Sequence, residues 1–238
     1  MSDTALINYL DLTSLNDNDT TEDIDKLCQK AITPYGNVAA VCVFGQFVTQ
    51  AKKRLITSDI LVASVANFPH GTQSITTTGQ EIENLLTAGA DEIDVVIDYR
   101  GFIQGNKQRI YQLVKMCKSI MPSQTLKVIL ETGELTKAQI DYASQAAMDA
   151  GANFLKTSTG KAPINATLDA ADTMLQAIAT YHPQVGFKAA GGVKTPAQAQ
   201  AYKNLAIKYL GADWVNPQHF RIGASSLLDN LLNNPVPE

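Results

Sequence analysis

The chain has 238 residues, 45% hydrophobic and 18% charged, enough to bury one sizeable core. A net charge of -4 excludes the broad basic footprint of a nucleic-acid or anionic-membrane binder. Cys28, Cys42 and Cys117 form no C-x-x-C and His70, His182 and His219 are isolated, so neither a disulfide framework nor a metal site is expected. This cysteine usage suits a reducing cytosol. No basic-then-apolar signal pattern opens the sequence, and no apolar run approaches a membrane span.

In chain order, Thr4 to Leu10 reads as a short helix and Tyr9 to Leu12 as a brief strand. A capping cluster at 16–20 precedes a helical run through Ile24, Leu27, Cys28 and Ile32, which Pro34-Tyr-Gly-Asn37 ends. Val38 to Phe44 and Ile60 to Ala66 are continuous apolar strands, the pattern of a sheet covered on both sides. Between them, Gln46 to Leu55 suits a helix. A helix from Thr76 to Ala88 stops at Gly89; Glu92 to Ile97 is a strand, Gly105 to Ile120 mostly helix, and Leu126 to Leu130 a strand. Thr136 caps a helix ending at Gly151, Phe154 to Thr157 is a strand, and Asn165 to Tyr181 a helix. Val185 to Lys188 is the next strand, and Thr195-Pro-Ala opens a helix that Gly211 ends. Phe220 to Gly223 and Ala224 to Leu232 form the last strand and helix.

Eight strands thus alternate with helices, and no shift in composition marks a second domain. Gly89-Ala-Asp, Gly151-Ala-Asn and Gly211-Ala-Asp recur about every sixty residues, or two βα units of roughly thirty. The pattern predicts one (β/α)8 TIM barrel over residues 1–238, with a short N-terminal helix. A doubly wound sheet is the alternative, but no G-x-G-x-x-G follows the first strand.

In such a barrel, chemistry gathers at the carboxyl ends of the strands. There the chain offers Asp11, Cys42, Asn67, Asp94, Lys127 with Glu131, Lys156, Lys188 and Gly223-Ala-Ser-Ser226. A strand-end lysine usually reaches solvent. Two lysines facing inward on adjacent strands have a second use. A free lysine leaves roughly one amine in 2,500 neutral at pH 7, so a nucleophilic amine needs its pKa lowered by about three units. A second ammonium about 6 Å away, at an effective dielectric of about 20, contributes about two of those, and desolvation the rest. Lys156 and Lys188 would form such a pair, the amine chemistry of a Schiff-base site. Asp94, flanked by apolar residues, reads either as their counter-ion or as a proton-transfer group acting through water. Asp11 and Lys127 would support it. Cys42 reads as a small buried hydrophobe whose strand-end position leaves an exposed thiol open.

Gly191-Gly192 follow the seventh strand, and Gly223, Ser225 and Ser226 lead from the eighth into a helix, where these barrels commonly hold phosphate. Thr159, Gly160 and Lys161 would close that site from the neighbouring loop.

Taken together, Leu10-Asp-Leu-Thr13, Asn67-Phe-Pro-His-Gly71, Gly89-Ala-Asp-Glu-Ile-Asp-Val-Val96, Leu126-Lys-Val-Ile-Leu-Glu-Thr-Gly-Glu-Leu135, Phe154-Leu-Lys-Thr-Ser-Thr-Gly-Lys161, Gly186-Phe-Lys-Ala-Ala-Gly-Gly192 and Phe220-Arg-Ile-Gly-Ala-Ser-Ser-Leu-Leu228 resemble the deoxyribose-phosphate aldolase family. The resemblance runs in order from about Leu10 to Leu232. It implies a class I aldolase that cleaves 2-deoxy-D-ribose 5-phosphate to D-glyceraldehyde 3-phosphate and acetaldehyde, without metal or organic cofactor, in deoxyribonucleoside breakdown in the cytosol. It makes Lys156 the Schiff-base nucleophile, Lys188 the neighbouring cation and Asp94 the proton-transfer residue. Asp11, Thr13, Cys42 and Lys127 become supporting groups, and Thr159, Gly160, Lys161, Gly191, Gly192, Gly223, Ser225 and Ser226 the phosphate site. Its partners would be phosphosugars and aldehydes, with a monomer or homodimer expected. The chain departs from the family at Ile97-Asp98-Tyr99 and Ala189-Ala190, where proline is common, and in a tail, Asn233 to Glu238, without the tyrosine some relatives carry. A transaldolase-like Schiff-base enzyme and a non-catalytic sugar-phosphate sensor are the alternatives.

Overall fold

The computed structural model describes residues 3–233, so the tail beyond Asn233 lies outside the described residues. Eight parallel strands close into a barrel: β1 (Leu10–Thr13), β2 (Ala40–Cys42), β3 (Leu61–Ala66), β4 (Glu92–Val96), β5 (Thr125–Ile129), β6 (Phe154–Lys156), β7 (Gly186–Ala190) and β8 (Phe220–Ala224). Neighbours follow chain order, and β8 returns to β1. Around them run α1 (Thr21–Lys30), α2 (Val48–Arg54), α3 (Ile75–Ala88), α4 (Tyr99–Ile103), α5 (Gln108–Ile120), α6 (Lys137–Asp149), α7 (Leu168–Tyr181), α8 (Pro196–Leu210) and α9 (Leu227–Asn233). The expected barrel is present. The N-terminal helix is a 3-10 helix over Asp3–Tyr9, whose Leu6 and Ile7 are buried.

Strand alternation sorts the side chains into two compartments. Leu10, Leu12, Ile93, Val95, Leu126, Val128, Leu155, Phe187, Phe220 and Ile222 point outward into the main hydrophobic core between barrel and helices. The opposite parity carries Asp11, Glu92, Asp94, Lys127, Lys156, Lys188 and Arg221, all buried. Barrels of this kind usually fill their interior with bulky branched side chains. Here charged side chains line the interior from β4 round to β1, with Phe154 packed under Arg221, and Cys42, Ala63 and Val65, with Leu15, make a small apolar patch.

Local chemistry fixes the ends of the helices. Thr20 with Asp23, Thr136 with Gln139 and Thr195 with Gln198 form reciprocal capping boxes, and Pro196 sits in the first turn of α8. Two of the three Gly-Ala echoes are one motif. Gly89 (φ 101) and Gly151 (φ 103) turn the chain, and the following amides, of Ala90 and Ala152, donate back to Leu85 and Ala147 at 3.0 and 3.1 Å. Gly211 differs: its extended ψ of 162 releases the chain into a loop, and β8 starts only at Phe220.

Other boundaries shift for physical reasons. The apolar stretch Val38 to Phe44 pairs as a barrel strand only over Ala40–Cys42, because Ala31 takes the Val38 amide and the chain leaves the ladder after Val43. Pro34-Tyr35 is the turn of a small ribbon pairing Ile32–Thr33 with Gly36–Asn37. Asp98 builds the unexpected α4: it accepts from the Gly101 amide at 2.9 Å and pairs with Arg109 at 3.0 Å. Asp98 therefore serves as a helix cap. Ala224 belongs to β8, which leaves α9 shorter than expected.

Candidate active site

Register brings the ionic side chains together. Lys156 pairs with Lys188, Asp94 with Lys127, and Arg221 with Lys188 across their strands. Lys156 is the last residue of β6, whereas Lys188 is the middle residue of β7 and lies deeper than a strand exit. The Lys156 Nζ donates to Asp94 Oδ2 at 2.7 Å, and the Lys188 Nζ donates to the same oxygen at 2.8 Å. Lys188 also donates to Asp11 Oδ2. Lys127 donates to Asp94 Oδ1 at 3.0 Å and to Glu92. Asp11 and Lys127 thus belong to the Asp94 network, as the sequence suggests. Thr13 caps the Asp11 carbonyl at 2.9 Å from the end of β1, and the Cys42 thiol is fully buried.

Two members of the network were not anticipated. Glu92 lies two residues before Asp94 on the same face, and Arg221 interrupts Phe220-Arg-Ile222 with a charge. Both signals are present in the sequence but weak, since an acid at a strand start and a single basic residue in a strand usually reach water. Arg221 instead donates to Asp11 Oδ1 at 2.7 Å and to Glu92 Oε1 at 3.1 Å.

The electrostatics of this cluster separate its lysines. Burial is the largest influence on Lys156 and lowers its pKa; Lys188 lowers it further, while Asp94 opposes both. The sequence-based arithmetic gave the larger share to Lys188, so the order is reversed: the dry barrel interior leads. Burial also disfavours charge on Lys188 and Lys127. There the carboxylates win, chiefly Asp11 and Asp94 on Lys188 and Asp94 and Glu92 on Lys127, and both pKa values rise. Against the same burial penalty, Lys127, Lys156 and Lys188 hold Asp94 well below the usual carboxylate range, and Lys188, Lys127 and Arg221 do so for Asp11. Burial, then Asp94, push the Cys42 thiol up, which makes it an inert small group rather than an exposed nucleophile.

Counting charges makes the same point. Among the described residues, Lys127, Lys156, Lys188 and Arg221 face Asp11, Glu92 and Asp94, four cations to three carboxylates, while burial favours the neutral form of nearby Glu131. Neutral Lys156 balances the set.

Above the cluster is a cavity of about 320 Å³ that gathers Thr13, Lys156, Thr159, Gly160, Lys161, Gly191, Gly192, Gly223, Ser225 and Ser226. Of the four cations in the cluster, Lys156 alone lines it. The rest of the cavity is suited to an anion. Gly160, Gly191 and Gly192 have φ of 83, 86 and 85, and a side chain at Gly191 would strike Asn165. Lys161 reaches across the mouth to the Leu15 carbonyl at 2.7 Å. Ser225 and Ser226 are exposed at the rim, ahead of an α9 too short to add much dipole. Gly223 lines the cavity and has a second role, since a Cβ there would lie 3.1 Å from the Lys188 Cε. Glu131, in a left-handed conformation (φ 57) and buried, accepts from the Thr159 hydroxyl at 2.6 Å and so braces the loop. A neighbouring groove lined by Phe44, Val65, Phe68 and Leu85 contains no lysine.

A buried amine cluster opening into a cavity at the carboxyl end of a (β/α)8 barrel is a setting for amine chemistry on a small molecule, the chemistry of an aldolase. Comparison with known proteins gives the family. Residues 5–232 match the DeoC/LacD family aldolase model, and the chain belongs to that family. It is similar to a provisionally named deoxyribose-phosphate aldolase from Toxoplasma gondii, with a TM-score of 0.90 and 29% identity over 97% of this chain and 94% of that one. A provisionally named deoxyribose-phosphate aldolase from Coccidioides immitis gives 0.86 and 27%, over 95% and 85%. The tetrameric deoxyribose phosphate aldolase from Aeropyrum pernix gives 0.77 and 25%, over 98% and 92%. Among the described residues, no helix is long and apolar enough to cross a membrane.

Proposed function

We propose that this aldolase reversibly cleaves 2-deoxy-D-ribose 5-phosphate to D-glyceraldehyde 3-phosphate and acetaldehyde through an imine on Lys156. The observation that carries the reading is that the one cluster lysine with a lowered pKa is also the one that lines the cavity. The neutral Lys156 amine adds to the C1 aldehyde of the open-chain sugar, and loss of water gives an iminium ion. The C2–C3 bond then breaks as the C3 hydroxyl gives up its proton, and the electron pair moves into the enamine. Protonation at C2 and hydrolysis release acetaldehyde and return the amine.

Asp94 orients Lys156 through their 2.7 Å hydrogen bond and, with a water, passes protons between the carbinolamine and the lysines. Lys188 stays an ammonium, disfavours charge on Lys156 and stabilises negative charge as it develops. Asp11 and Lys127 keep that arrangement in register. Thr159, Gly160, Lys161, Gly191, Gly192, Gly223, Ser225 and Ser226 hold the 5-phosphate about one sugar's length from the amine. Three free, buried cysteines suit a reducing, cytosolic setting, and the reaction itself would serve deoxyribonucleoside breakdown.

A donor panel tests the assignment. The enzyme should release acetaldehyde from 2-deoxyribose 5-phosphate and use acetaldehyde as donor in reverse. Turnover with dihydroxyacetone units but not acetaldehyde would transfer the site to a transaldolase-like reaction. Binding of the phosphosugar without cleavage would identify a sensor.

A further inference from the structure

Arg221 touches neither the cavity nor Lys156, yet it anchors the network that ends there. Its guanidinium spans the barrel interior, binding Asp11 on β1 and Glu92 on β4, and its Nε donates to the Pro217 carbonyl. From it a continuous line of contacts runs to the amine. Asp11 Oδ1 takes Arg221 while Asp11 Oδ2 takes Lys188, and Lys188 shares Asp94 Oδ2 with Lys156. A planar fork suits a bridge between two carboxylates on strands that are not neighbours, and a guanidinium keeps its charge at any working pH.

We propose that Arg221 is a positioning residue that fixes the charge state of the reactive amine: by saturating Asp11 and Glu92 it leaves Lys156 as the surplus cation of the barrel interior, the one that gives up its proton. With Arg221 present, three fixed cations already match three carboxylates. Without it, the carboxylates need Lys156 as an ammonium. Asp11 would also draw Lys188 toward itself, loosening Lys188 from Asp94 and leaving Asp94 Oδ2 to Lys156 alone. The groups that face this line are Asp11 from β1, Cys42 from β2, Glu92 and Asp94 from β4, Lys127 from β5, Glu131 just beyond it, and Lys188 from β7. Of these, Glu92 can be altered without touching Lys156, Lys188 or Asp94.

This inference rests on Lys156 as the reactive amine, and its test reads that amine directly, without turnover. Competitive labelling with acetic anhydride across a pH series, quantified on the Lys156 peptide, gives the midpoint of its ionisation. A charge about 10 Å away at an effective dielectric of about 20 is worth about one pKa unit, so Arg221→Met should raise the midpoint by about one unit, roughly tenfold fewer neutral amines. Arg221→Lys keeps the charge and should keep the midpoint. Glu92→Gln should lower it, and Arg221→Met with Glu92→Gln should return it to the wild-type value. An unmoved midpoint in Arg221→Met, whatever its stability, overturns the proposal. Should that variant not fold, an unmoved midpoint in Glu92→Gln overturns it equally. Borohydride trapping of the wild-type enzyme keeps the two readings apart: an imine on Lys156 with no shift in the variants sinks this inference alone, and a shift with no imine sinks the proposed function alone.

Discussion

Lys156 and Lys188 donate to one and the same oxygen, Asp94 Oδ2, at 2.7 and 2.8 Å. Lys188 therefore acts on Lys156 twice. It repels a second positive charge, and it occupies the carboxylate that would otherwise hold Lys156 as an ammonium. Burial does the larger part of the work, and Asp11, which pairs with Lys188 and not with Lys156, decides which of the two lysines keeps its proton.

Replacing Lys188 by leucine should remove both effects. Asp94 Oδ2 then belongs to Lys156 alone, and the Lys156 pKa rises. Activity at neutral pH should fall by about tenfold or more and partly return as the pH is raised. A pH–rate profile whose midpoint stays at the wild-type position contradicts this.

Asp94→Asn separates amine activation from proton transfer. Removing the carboxylate takes away the main influence that favours a charged Lys156, so imine formation should persist. Proton transfers at the carbinolamine and at C2 lose their carrier, and turnover should fall by about 10² to 10⁴. Single-turnover trapping alongside steady-state rates measures the two steps. Wild-type turnover in this variant would remove Asp94 from the proton path.

At the mouth, Lys161→Met and the Ser225→Ala, Ser226→Ala pair should weaken phosphate binding only. A charge-assisted hydrogen bond is worth about 1.5–3 kcal/mol, so KM for the phosphorylated sugar should rise by about 10- to 100-fold per charged contact. Kinetics with unphosphorylated 2-deoxyribose should stay unchanged. Equal losses on both sugars would place these residues elsewhere in the mechanism.

The same carboxylates couple stability to pH. Asp11 and Asp94 are held below their unfolded pKa values, so their contribution is present above about pH 4 and disappears as the pH falls further. Thermal unfolding temperature should drop steeply below about pH 4, and Asp11→Asn should flatten that slope. A slope identical to wild type would show that Asp11 is not a source of the acid sensitivity.

Much of this was legible in the sequence. Apolar runs of strand length alternating with capped helices give the barrel, and the motifs around Lys156, Lys188, Gly191 and Ser225 give its mouth. Two kinds of information were not. Whether Val38 to Phe44 pairs along its whole length depends on which backbone partners remain free, a tertiary question. Arg221 and Glu92 resemble ordinary surface charges until register sets them opposite Lys188 and beside Asp94. The balance of forces on Lys156 was also out of reach, because desolvation depends on how completely the barrel closes around it.

Sodium borohydride reduction in the presence of acetaldehyde, followed by peptide mapping, tests the central claim most directly. The account predicts a two-carbon adduct on the Lys156 peptide, absent from Lys156→Met. An unmodified Lys156, or an adduct on Lys188 or Lys127 instead, contradicts it.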